Sequence, residues 1–92
     1  MRLQVTTYCV EALAGPEEGE LELLVEGVVF LGNDYDEDPR DGFRRHYTYV
    51  EDAEILEVRE DIPAGRIFDL RDIPADARWR MTEALIEEAQ ER

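Results

Sequence analysis

Residues 20–31 read ELELLVEGVVFL, and their alternation constrains the fold more than any other stretch of the chain. Leu21, Leu23, Val25, Val29 and Leu31 recur at alternate positions, interrupted only by Gly27. Side chains alternate across a strand, so these residues share one face, which is the expected core. The other face carries Glu20, Glu22 and Glu26 towards its start, with Leu24, Val28 and Phe30 between and after them. It begins acidic and ends apolar, so part of it is free to meet a loop or a partner.

The remaining segments read around that strand. Residues 2–11 (RLQVTTYCVE) are rich in β-branched and aromatic types and predict a first strand, followed by a turn in AGPEEG at 14–19. Residues 43–50 (FRRHYTYV) and 53–59 (AEILEVR) predict two further strands joined by a turn at Glu51 and Asp52, and RIFDL at 66–70 a short fifth. DIPA occurs at 61–64 and again at 72–75; Gly65 turns the chain after the first copy, while the second opens a helix. That helix is predicted over 74–91, with Pro74 in its first turn and Asp76 against the positive end of its dipole. Its apolar stripe reads Ala75, Trp79, Thr82, Ile86 and Ala89, widened by Leu85, and Glu83, Glu87 and Glu91 form the opposite face. The expected fold is α+β: residues 1–92 form a single domain, a mainly antiparallel sheet of four to five strands covered by one C-terminal helix.

Charge is the unusual part of the composition. The chain has 24 acidic and 10 basic residues, a net charge of −14, and all the basic residues are Arg. Such a field repels phosphate backbones and anionic membranes and attracts basic proteins, which excludes direct nucleic-acid or lipid binding as the expected activity. The 43% hydrophobic content excludes a disordered acidic tail, because that much apolar surface offsets the entropy of ordering. MRLQVTTYCVEAL lacks the apolar core of a signal peptide. Together with Cys9, the single cysteine, this leads to an expected cytoplasmic location in a bacterium or a phage-infected host cell, with the thiol reduced.

Residues 31–43, LGNDYDEDPRDGF, read as an acidic loop, and a calcium site is the first chemistry to test there. Asp34, Asp36, Asp38 and Asp41 supply hard oxygen ligands. The turn fails: with Asp34 as first ligand, Pro39 falls where an EF-hand needs glycine and Arg45 where it needs a bidentate glutamate. Catalytic signatures are missing as well. There is no glycine-rich phosphate loop and no serine anywhere in the chain, and the only nucleophile–base candidates are Cys9, His46 and Tyr47 on strand-like segments. No enzyme activity, cofactor or metal is expected.

The acids are unevenly placed. Residues 16–41 hold ten acids and one base and residues 51–61 hold six acids and one base, which accounts for the whole net charge. Alternate residues on a strand lie about 6.7 Å apart, so two neighbouring acidic rows approach the linear charge density of a phosphate strand, one per about 3.4 Å. The expected binding residues are Glu20, Glu22, Glu26, Asp34, Tyr35, Asp36, Glu37, Asp38, Glu54 and Glu57, facing the basic groove of a nucleic-acid-binding protein or complex. Tyr35 is the best single anchor, and the apolar half of the second strand's outer face permits a homodimer as well as a monomer. A competing expectation is a housekeeping protein of a salt-adapted organism with no specific partner, and behind it a calcium-binding or structural module. Segment 62–80, with four Arg against three Asp, argues for a patch, because salt adaptation would spread acids over it too.

The stretch YVEDAEILEV, then DIPAGRIFDL and a closing EALIEEAQE, resembles small acidic proteins encoded in phages and prophages. Some proteins of that kind are nucleic-acid mimics that inhibit restriction or CRISPR complexes. The resemblance covers residues 49–91 and implies the same class here, without assigning any residue a role.

Overall fold

The computed structural model of the chain describes residues 1–13, 19–37 and 44–91, with backbone alone at 34–37 and 44–47. Its elements are β1 (Arg2–Glu11), β2 (Leu21–Glu37), β3 (Arg44–Glu60), β4 (Ile67–Phe68), a 3-10 turn (Leu70–Asp72) and α1 (Ala75–Gln90). The four strands form one antiparallel sheet in the order β1-β2-β3-β4. Helix α1 covers one face, so the fold is α+β. No helix among the described residues is long and apolar enough to cross a membrane.

The alternation in β2 sorts the two faces. Leu23, Val25, Val29 and Leu31 are buried under the helix with Val5, Val58, Ile73, Ala77, Met81, Leu85 and Ala89, and Leu21 packs against them half-buried. Gly27 lies on this same face and is the seat of the helix. A Cβ there would run into the methyl groups of Leu85. Glycine thus opens a hollow in the sheet that Leu85 fills.

Three boundaries differ from the sequence expectation. First, β2 does not stop at Leu31 but continues to Glu37, so the first half of the acidic loop is paired strand, Asn33 to Glu37 facing Thr48 to Arg44. Second, the two strands expected on either side of Glu51 and Asp52 are one strand, Arg44–Glu60, with no turn at those residues. The registers Glu26↔Glu57 then Gly27↔Ile55, and Phe30↔Asp52 then Leu31↔Val50, each skip one residue of β3, leaving Leu56 and Glu51 as β-bulges. Bulge residues interrupt a strand's alternation, which is why Glu51 and Asp52 imitate a turn in the sequence; the Asp52 carboxylate accepts a 2.8 Å hydrogen bond from the Ala53 N–H beside the second bulge. Third, the fifth strand shrinks to Ile67–Phe68, paired with Val58 and Arg59, because Leu70 turns into the 3-10 segment capped by Asp69.

The helix is where expected, but it presents a different stripe. Ala77, Met81, Leu85 and Ala89, four residues apart, are buried, whereas Trp79 is 66% exposed. At 3.6 residues per turn Trp79 lies about 160° around the helix from Met81. The helix therefore carries two apolar stripes, and the sheet accepts the one whose Leu85 fits Gly27 and whose alanines permit close approach. Arg80 fixes the rotation: its guanidinium donates to both oxygens of Glu11 at 2.6 and 2.8 Å, across 69 residues of chain, which holds its pKa further above the ordinary arginine value. Exposed pairs add about 0–1 kcal/mol, so this fork orients more than it stabilises. Trp79→Ala is accordingly expected to cost less than about 1 kcal/mol in urea unfolding, as at other surface positions. A core-sized loss would place the indole in the packing.

Candidate functional site

The face of the sheet turned away from α1 is uncovered among the described residues. On β1 it presents Arg2, Gln4, Thr6, Tyr8 and Val10; on β2 Glu22, Leu24, Glu26, Val28 and Phe30; on β3 Asp52, Glu54, Glu57 and Arg59. Val28 sits at its centre with 1% of its surface exposed although it lies outside the helix-side core. Its register partners are Gln4 and Glu54, and its neighbours along the face are Glu26 and Phe30.

The bulges build the acidic part of this face. In a regular strand residues 54 and 57 point to opposite sides; the extra residue Leu56 brings both outward. Asp52 follows Glu54 on the same side, and Glu26 stands directly opposite Glu57. Opposed residues of an antiparallel pair have Cβ atoms about 4.5–5.5 Å apart, where like charges are destabilising. That repulsion is partly relieved locally. Arg59 donates to Glu57 from Nε and Nη2 at 3.1 and 2.7 Å, and Gln4 donates to Glu26. The Arg59 guanidinium is held above its ordinary pKa by the hydrogen bond to Glu57, then by the charges of Glu57 and Glu26. Among the described residues no hydrogen bond or ion pair reaches the side chains of Glu22 or Glu54. Glu26, Asp52, Glu54 and Glu57 thus place four carboxylates along the four ladder steps from Phe30 to Glu26, about 13 Å or one per about 3–4 Å, close to the charge density of one phosphate strand.

The expected binding residues divide accordingly. Glu22, Glu26, Glu54 and Glu57 come together on this face, and Glu20 is exposed just before β2. Asp34, Tyr35, Asp36 and Glu37 do not form a loop; they pair with Tyr47, His46, Arg45 and Arg44. The backbone register sets Asp36 and Glu37 opposite Arg45 and Arg44. Asp38 lies outside the described residues. Asp52 belongs to the face and was missed. The signal for it is the spacing of the inward residues Val50, Ala53, Ile55 and Val58, which changes from two to three at each bulge.

Other chemistries find less support. A calcium loop needs a turning backbone, and Asp34 and Asp36 lie in a straight ladder. Among the described residues no three His, Cys, Asp or Glu side chains gather as a metal site. Cys9 pairs with Leu23 and His46 with Tyr35, twelve residues further along β2, or about 40 Å. They cannot form a dyad. Burial first, and Glu11 second, push the Cys9 thiol pKa up, away from the reactive thiolate. A groove of about 370 Å³ runs between Ile55, Leu70, Ala75, Trp79 and Thr82, with Arg78 as its one charged side chain; it contains no acid–base pair. The chain matches no family model, no curated protein and no solved structure.

Proposed function

We propose that this protein is a non-enzymatic acidic binder whose uncovered sheet face enters an arginine- and lysine-lined groove and keeps nucleic acid out of it. This is the action of an inhibitor of anti-restriction or anti-CRISPR type. The observation that carries the reading is the set Glu26, Asp52, Glu54 and Glu57, gathered on one face by the bulge at Leu56 at a charge density near that of a phosphate strand. Leu24 and Phe30, half-buried beside it, supply the short-range apolar contact that charge alone lacks. The like-charge pair Glu26–Glu57 opposes folding, which makes sense in a surface selected for an external cation.

The test compares two variants with equal net charge. Immobilised protein is first used to capture basic nucleoprotein complexes at low salt, with DNA or RNA as competitor. The triple variant Glu26→Gln, Glu54→Gln, Glu57→Gln is expected to slow association with the captured complex roughly tenfold and flatten its salt dependence. The control Glu83→Gln, Glu87→Gln, Glu91→Gln removes the same charge from the helix back and is expected to leave the on-rate within about twofold. Equal loss in both variants, or capture of nothing that nucleic acid competes away, would count against the reading and favour an acidic surface kept for solubility.

A further inference from the structure

The two long edges of the sheet are built differently. The β3 edge is broken by bulges at Leu56 and Glu51, carries Asp52, Glu54 and Glu57, and is capped at Val58 and Arg59 by β4. Bulges, charges and short covering strands are the devices by which natural sheets block unwanted pairing. β1 has neither a bulge nor a covering strand, and its only charges, Arg2 and Glu11, stand at its two ends. It runs ten residues without a bulge or proline, and no described residue pairs with its outer edge. In a chain that is 37% charged, residues 2–10 (RLQVTTYCV) carry one charge, Arg2. This strip is therefore where two copies, each of net charge −14, meet with least repulsion.

The hydrogen-bond phase of β1 follows from its first residue. Met1 and Leu31 exchange both backbone bonds, at 2.6 and 2.7 Å, so odd residues of β1 face β2 and even residues turn their N–H and C=O groups outward. We propose that β1 is the interface of a two-fold homodimer in which two copies pair antiparallel, edge to edge, about Thr6. This register satisfies every outward group. Thr6 bonds its own copy, Gln4 bonds Tyr8, and Arg2 bonds Val10. Between them Val5 faces Thr7, and Leu3 faces Cys9. Leu3 and Cys9 are half-buried against the core, so the pairing prolongs that core across the axis. Tyr8 and Val10, 69% and 56% exposed, gain neighbours in Gln4 and Arg2 of the second copy.

The axis stands perpendicular to the sheet, so both helices lie on one side and both acidic faces on the other. The pairing is independent of what those faces bind. Its salt response also has the opposite sign: screening reduces repulsion between the copies, the Debye length falling from about 10 Å at 0.1 M to about 3 Å at 1 M.

Light scattering from micromolar to millimolar protein should show the mass rising from 10.7 kDa towards twice that value, at lower protein concentration when salt is added. In the dimer the amides of Gln4, Thr6 and Tyr8 should exchange with solvent at least tenfold more slowly than in the diluted protein. Thr6→Lys sets like charges opposite each other at the axis, and Thr6→Pro removes an N–H that β2 does not use; each should leave a folded monomer by circular dichroism. The proposal is overturned by a monomeric wild-type protein at every concentration and salt. It is equally overturned by a dimer whose Gln4, Thr6 and Tyr8 amides exchange freely, or by one that survives Thr6→Lys in folded form. Wild-type mass and exchange decide the matter even if both variants fail to fold.

Discussion

Replacing Met81 by Ala is expected to lower the unfolding free energy by about 2–5 kcal/mol. Met81 is fully buried on the helix stripe that faces β1 and β2, between Ala77 and Leu85, among Val5, Leu23, Val25 and Val58. Its neighbours are held by a continuous antiparallel ladder and cannot collapse into the space, so a cavity term adds to the lost transfer energy. Each kcal/mol shifts the melting temperature of a domain this size by about 4–8 °C, which makes the loss plain in a thermal scan. The comparison with Trp79→Ala is the informative part. The indole is the larger side chain, yet the smaller thioether is expected to be the costlier loss. A reversed order would mean that the helix sits rotated by about half a turn.

The second large effect is expected at Gly27, where valine should destabilise by about 3 kcal/mol. An added Cβ meets two obstacles: the Leu85 methyl groups and the Glu54 carbonyl oxygen at 2.6 Å. Leu85 is the end of a flexible side chain and can move; the Glu54 carbonyl belongs to the ladder beside the Leu56 bulge and cannot. Combining Gly27→Val with Leu85→Ala is therefore expected to restore little. Recovery of most of the stability in the double variant would show that helix contact alone demands glycine. The bulge would then be free to adjust. Because the same bulge turns Glu54 and Glu57 to one side, Gly27→Val in a folded background should also disturb the acidic face.

Much of the fold was legible because periodicity reports local geometry. The alternation of Leu21, Leu23, Val25, Val29 and Leu31 identified the buried face of β2, and the C-terminal helix was placed to within a residue at each end. Strand ends were harder. Asp34, Asp36 and Glu37 have low strand propensity and read as loop, but their register opposite Tyr47, Arg45 and Arg44 lets pairing override propensity. Trp79 misled for another reason: hydrophobicity shows which stripes can be buried, and the helix has two. The acidic face was partly legible, since Glu22, Glu26, Glu54 and Glu57 were named, but Asp52 was hidden by the bulge that recruits it.

The sequence by itself determined the class of fold, the inward face of the long strand and the regional excess of acid, all properties that depend on neighbours a few residues apart. Tertiary structure alone decided which helix stripe is buried, where β3 bulges and which carboxylates share a face. Those choices rest on the fit of Leu85 over Gly27 and on strand register, contacts between residues about 20–60 positions apart. It also left β1 as the long, nearly uncharged edge, because pairing, not composition, decides which strand ends a sheet.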